Sequence, residues 1–197
     1  MKAKRIGNFF IVAGSLCLLS CLFYYLWLDY DDNKAFNDSL AVVEKLQTLT
    51  VPDDPQVDTD DITDPVLTSV EVDGVRYVGY LTIPSADLVM AVTRDPDDEW
   101  LKFALCRYYG SPYTNDLVIC GHNYKSGFGK IKDLEEGDKV YFTDMKGNVT
   151  AYEVEFAEVL PGTDVNGMIT SGYDLSLYTC TYGGGERYTV RCTEVPL

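Results

Sequence analysis

Three side chains in this sequence have the types needed for nucleophilic attack on a carbonyl, and two of them share one short stretch. Asp174 to Cys192 reads DLSLYTCTYGGGERYTVRC. Leu175, Leu177 and Thr179 alternate with Ser176, Tyr178 and Cys180, the period-2 pattern of a half-buried strand. After Gly183, Gly184 and Gly185, Arg187, Thr189 and Arg191 alternate with Tyr188, Val190 and Cys192. The spacing predicts a strand ending on Cys180, a glycine turn, and a second strand opening near Arg187. Such a connection holds a thiol and a guanidinium close together. The thiol becomes a strong nucleophile as its thiolate. The guanidinium cannot act as a base, but it can stabilise an oxyanion or bind a substrate carbonyl. It also favours the thiolate by through-space attraction. The remaining part is a base. The chain has 1 histidine, His122, in DLVICGHNYKSGFG, so any imidazole chemistry must use it. That ring can take the thiol proton or protonate a leaving amine. Asn123 adjoins it but points the other way if the strand continues, so no residue is assigned to orient the ring.

Each of these residues also has a structural explanation. Cys106, Cys120, Cys180 and Cys192 lie beyond the apolar N-terminal run, and four cysteines allow two disulfides in three connectivities. Cys106 with Cys192 is one such pairing, and Cys120 shares a strand face with His122. With no C-x₂-C pair and a single histidine, a zinc site is not expected. A lone histidine is more often a surface or satisfied core residue than a catalyst. Arg191 competes with Arg187 for the cationic role. It shares the face of Arg187 but lies four residues, about 13 Å, further along the strand. Arg187 is preferred because it is nearest the turn and the thiol.

These side chains need a scaffold and a location. Ile6 to Leu28 is an uncharged apolar run of 23 residues, preceded by Lys2, Lys4 and Arg5 and followed by Asp29, Asp31 and Asp32. As a helix it is long enough for a hydrocarbon core of about 30 Å. The basic flank predicts a cytoplasmic N-terminus, with the rest of the chain outside. Tyr24, Tyr25, Trp27 and Tyr30 would form an interfacial belt. A cleaved signal peptide is the competing explanation; the run is long for that, and it ends in bulky aromatics without an A-x-A site. A second helix is expected over Ser39 to Leu49, capped by Asn37 or Asp38, with Val42, Val43, Leu46 and Leu49 as its apolar stripe. It either packs on the domain's side, which is favoured, or continues the membrane stalk. Val51 to Pro65 carries three prolines and six aspartates and reads as a linker. Its aspartates do not match the spacing of the twelve-residue calcium loop.

The globular part begins near Val66. Expected strands flank the Asp73-Gly74 turn, then follow over Leu88–Thr93, Leu117–Cys120, Lys139–Thr143, Thr150–Leu160, Ser176–Thr179 and Tyr188–Arg191. Helical turns are expected over Glu99–Leu105 and Phe128–Leu134. Many short strands with close turn signals argue for an all-β barrel or sandwich. The 197 residues carry 16 Lys+Arg against 31 Asp+Glu, a net charge of -15. That argues against nucleic acid as a partner, since phosphate binding needs a basic face.

At GHN around His122, LYTC around Cys180, ERYTVR from Glu186 and YLTIP at Tyr80 to Pro84, the sequence resembles the sortase family. These are membrane-anchored cysteine transpeptidases of Gram-positive bacteria, and the resemblance spans roughly Val75 to Cys192. It implies an all-β fold, an eight-stranded β-barrel with short helices, preceded by the N-terminal helix and transmembrane anchor. It implies that Cys180 is the nucleophile that carries an acyl thioester, His122 the general acid/base, and Arg187 the stabiliser of oxyanion and substrate. No cofactor and no metal is expected; unlike calcium-stimulated members, the chain has no calcium site that can be named. The implied partners are a secreted protein with a C-terminal sorting motif, commonly LPXTG-like, and an amine of cell-wall peptidoglycan or a pilin. Residues 1–5 would be a cytoplasmic tail, 6–28 the transmembrane anchor, 29–65 an extracellular helix and acidic linker, and 66–197 the catalytic β-barrel domain. The protein would cross the cell membrane once, with the catalytic domain extracellular. The helix ahead of the barrel and the short segment between His122 and Cys180 resemble class B more than the pilus-building class. No convincing lid segment precedes the barrel, although the aspartate-rich linker is a candidate for one. Two other functions fit the same residues: an extracellular His/Cys hydrolase that passes the acyl group to water, and a non-catalytic anchored β-domain with structural cysteines.

Overall fold

The computed structural model describes residues 2–49 and 67–197. The expected linker, Val51 to Pro65, lies outside them. The first part is a single helix, α1 (Lys2–Leu49). No separate, capped helix begins near Ser39, because no proline or glycine interrupts the chain between Ser15 and Leu49. At about 1.5 Å per residue α1 extends about 70 Å. Its N-terminal half leaves large apolar side chains bare, among them Leu18, Phe23 and Trp27. Among the described residues it is the one helix long and apolar enough to cross a membrane. Its C-terminal half packs on the rest of the protein. Val43 and Leu46 are buried with Val72, Val75, Tyr77 and Ala91, and the buried Ser39 Oγ accepts from the Ala91 N–H at 3.2 Å. Leu49, expected in the same stripe, is exposed. The helix therefore both continues the apolar segment and packs on the domain.

The second part is a sheet of nine strands. They are β1 (Val70–Val72), β2 (Val75–Ile83), β3 (Leu88–Thr93), β4 (Leu105–Tyr109), β5 (Leu117–Gly121), β6 (Lys139–Asp144), β7 (Val149–Pro161), β8 (Leu175–Cys180) and β9 (Glu186–Val195). Neighbours run β1-β2-β3-β4-β5-β8-β9-β7-β6, and β6 also pairs with β2. That last pairing closes β2 to β9 into an eight-stranded barrel and leaves β1 as a short flap on β2. Only β3–β4 and β5–β8 are parallel. Closure leaves the ring without open edges, which limits edge-to-edge association. The interior is filled by Val78, Leu81, Ile83, Leu88, Val92, Leu117, Ile119, Phe142, Val154, Leu175, Leu177 and Val190. These are the inward members of the alternating runs.

Two elements depart from the sequence expectation. The segment expected as a helical turn over Glu99–Leu105 has a short 3-10 helix at Trp100–Lys102, and Leu105 already opens β4. β4 carries no long alternating signal. It meets β3 over two residue pairs only, and its pairing with β5 slips between Arg107 and Tyr109. A five-residue helix, α2 (Val165–Ile169), was also not expected. Asp164 caps it by accepting from the Gly167 N–H at 2.9 Å.

Candidate active site at the barrel lip

Strand register brings the three chemical groups to one place. On parallel β5 and β8, Gly121 is the partner of Thr179. On antiparallel β8 and β9, Cys180 is the partner of Arg187. Leu175 and Leu177 face the core, so alternation puts Ser176, Tyr178 and Cys180 on the outer face of the barrel. The same parity puts Cys120 on β5 and Arg187, Thr189 and Arg191 on β9 on that face. His122 is the next residue after Gly121, as Cys180 is the next after Thr179 on the neighbouring strand. Cys180 and Arg187 are thus cross-strand partners at the ends of β8 and β9, and His122 follows directly on the end of the neighbouring β5. Below them, Tyr178 meets Tyr108 edge-on with ring centroids 5.5 Å apart.

The residues flanking the thiol and the imidazole lock the two strand ends together. Thr179, fully buried, donates its hydroxyl to the Gly121 carbonyl at 2.8 Å. Gly121 is required by close packing. A Cβ there would lie 2.7 Å from both Leu105 Cδ2 and Phe128 Cδ1. The Thr-Cys and Gly-His pairs are therefore two halves of one joint. Beyond Cys180, the Thr181 N–H bonds the Glu186 carbonyl at 3.0 Å and the Gly184 N–H bonds the Thr181 carbonyl at 2.9 Å. Gly183 and Gly184 take φ of 95° and 73°, which a side chain would strain. Arg187 Nη1 donates to the Gly184 and Glu186 carbonyls at 2.9 and 3.1 Å, so the turn also carries the guanidinium.

The His122 ring meets Tyr124 edge-on at 5.5 Å. Asn123 is engaged elsewhere: its Oδ1 accepts from Lys132 Nζ at 2.7 Å. The same ammonium sits 5.1 Å above the ring of Tyr182, two residues past Cys180. Lys132 therefore ties the loop after the histidine to the loop after the cysteine. The sequence carries no signal for this, since FGKIKDL shows only a helical turn with two lysines. Thr179 was legible as a neighbour of Cys180, but its bond to Gly121 was not.

Arg191 is not at the lip. Its partner is Ser176, and it is 1% exposed. Its Nε donates to Glu158 Oε1 at 2.8 Å, Nη1 to Ser176 Oγ at 2.7 Å and Nη2 to the Gly167 carbonyl at 2.6 Å. It is sealed between the barrel wall and α2.

All six cysteines are free. The Cys106–Cys192 pairing is corrected: Cys106 is on β4 and Cys192 on β9, with β5 and β8 between them. Cys106 instead faces Cys120 directly across β4 and β5. The hydrogen bond to Cys120 and burial push the Cys106 thiol far above its usual range. Burial likewise pushes up Cys192, which lies in the core. Cys180 alone of these four is not buried. Among the described residues, no group of three or more His, Cys, Asp and Glu is placed to hold a metal ion.

A family model described as Sortase domain matches residues 81–195, more than half of the chain, and the chain belongs to the sortase family. This is a family of cysteine transpeptidases. Among solved structures, sortase A from Corynebacterium diphtheriae is similar at 25% identity and a TM-score of 0.56. The match covers 62% of this chain and 62% of that one. Sortase C1 from Streptococcus agalactiae is 24% identical at a TM-score of 0.56, covering 64% and 72%. Sortase C from Clostridium perfringens SM101 is 20% identical at a TM-score of 0.55, covering 88% and 97%. The last two likenesses are of fold. No curated protein matches the chain by sequence.

Proposed function

We propose that the chain is a cysteine transpeptidase acting through Cys180, His122 and Arg187. The observation that supports this is the register Gly121–Thr179 and Cys180–Arg187, with His122 directly following Gly121. In the proposed reaction the Cys180 thiolate attacks the carbonyl carbon of a peptide bond in a C-terminal sorting motif. The C–S bond forms and the oxygen takes the electron pair, with Arg187 supplying positive charge to it. The oxyanion collapses, the C–N bond breaks, and His122 delivers a proton to the departing amine. A thioester remains on Cys180. An amine of cell-wall peptidoglycan or a pilin then attacks the thioester carbon, His122 takes its proton, and the thiolate leaves.

Residues 1–5 stay cytoplasmic, 6–28 span the cell membrane, 29–65 lead outward, and 66–197 form the extracellular catalytic domain. The basic flank and the bare apolar face of α1 support this. The related structures named above carry class A and class C names, and the class B-like expectation is not part of the proposal.

Mass spectrometry after incubation with a panel of sorting-motif peptides tests the reaction. The expected result is an acyl adduct on Cys180, converted to an amide-linked product when oligoglycine is added. Hydrolysed product alone, with the amine present, would point to a hydrolase. No adduct with any peptide, and an alkylation-resistant Cys180, would leave a structural domain.

A further inference from the structure

The helix that carries the chain out of its apolar segment touches the loop that follows His122. Asp32 lies four residues past Leu28, about one turn along α1. Its Oδ1 accepts from Ser126 Oγ at 2.8 Å and its Oδ2 from the Ser126 N–H at 3.1 Å. Both bonds have an ionised acceptor, the stronger kind. They join residues 94 apart in the chain. Between Ser126 and His122 lies Tyr124, whose ring is the edge-on neighbour of the imidazole. Burial, and then the charges of Asp31 and Asp32, raise the Tyr124 phenol, which places the ring in the field of the same stretch of α1.

The loop is compact enough to transmit this hold. Its Tyr124 carbonyl accepts from the N–H groups of Gly127 and Gly129 at 3.2 and 2.8 Å. One turn further along α1, the Phe36 ring lies 5.3 Å from Lys130 Nζ, which donates to the Ala86 and Asp87 carbonyls. Lys132 in turn holds Asn123. The loop after the imidazole is therefore held by two elements, α1 at Ser126 and the segment at 128–133 at Asn123.

We propose that Asp32 is a positioning residue: through Ser126 and Tyr124, the docked anchor helix sets the aim of His122. This rests on the transpeptidase reading for its consequence in catalysis, but the geometry itself can be tested without it. The lip is then part of one unit with the membrane helix, and undocking α1 lowers turnover without touching the reacting atoms.

The chain has 1 histidine, which makes the test direct. The full chain, labelled with ¹³C-histidine and placed in lipid nanodiscs, gives one imidazole ring signal to follow by NMR. Asp32→Ala and Ser126→Ala should each shift and broaden it, and the double variant should add little, because both remove the same link. Ser126→Thr keeps the hydroxyl and should restore the parent signal. With a peptide that the parent turns over, Asp32→Ala should lower kcat about tenfold with KM changed less than about twofold, the signature of a misplaced group rather than lost binding. An unchanged ring signal in Asp32→Ala and Ser126→Ala overturns the proposal, whatever happens to kcat. A parent that turns over no peptide overturns the transpeptidase reading instead, and the ring signal still decides the role of Asp32.

Discussion

Two arginines on one face of β9 stand four residues apart, and they occupy different environments. Arg187 is half-buried at the lip, bound to carbonyls of its own turn and paired with Cys180. Arg191 is enclosed in the wall, bound to Glu158, Ser176 and the Gly167 carbonyl. Residue type and face are the same for both. Distance from the turn separates a group that can meet a substrate from one that closes the wall beneath α2. The lip and the wall should therefore respond oppositely to substitution, one in activity and the other in stability.

The largest effect belongs to the lip. On the proposed reaction, Cys180→Ala and His122→Ala should each abolish acyl transfer, a loss on the order of 10⁴-fold or more, because the proposed nucleophile and base would act as a unit. Thermal unfolding followed by circular dichroism should move little, since neither side chain is in the core. A variant that unfolds instead would erase the distinction between lip and wall. Next is the wall. Arg191→Ala leaves the buried Ser176 hydroxyl and the part-exposed Glu158 without their partner and should destabilise the domain by about 1–3 kcal/mol, read from the urea midpoint. An Arg191→Ala domain as stable as the parent but inactive would reverse the assignment of the two arginines.

Arg187→Ala is the sharper comparison. It should lower kcat/KM about 10²-fold, with stability changed by less than about 0.5 kcal/mol. Arg187→Lys should recover only part, since an ammonium cannot reproduce the planar fork. Equal losses of activity and stability would make Arg187 a wall residue like Arg191. The smallest effect is expected of Lys132→Met, which cuts the tie from Asn123 to Tyr182 while keeping the apolar stem. A loss of less than about tenfold in kcat is expected, with the His122 ring signal shifted. An unaltered signal would mean that each loop holds itself.

Much of the fold was legible because it rests on local alternation. Leu175, Leu177 and Thr179 face inward as their spacing predicts, and so do Tyr188, Val190 and Cys192. β4 was not legible. A strand that meets β3 over two residue pairs and slips against β5 leaves no regular period to read. The helix at 39–49 was legible as a packing face, but its continuity with the apolar segment was not. Asn and Asp at 37 and 38 are good caps, yet nothing there breaks the helix, and local preference yields to packing. The candidate site was legible by elimination for its imidazole and by position for its thiol.

Chemical types, the apolar N-terminal run and the inward faces of most strands were set by the sequence alone, because each depends on neighbours a few residues away. The tertiary structure decided which arginine stands beside the thiol and that β6 closes the ring on β2. It also decided that Thr179 bonds Gly121, and that Lys132 and Asp32 both reach the histidine loop. Those are contacts between distant parts of the chain, and they exist only once register and packing have brought the parts together.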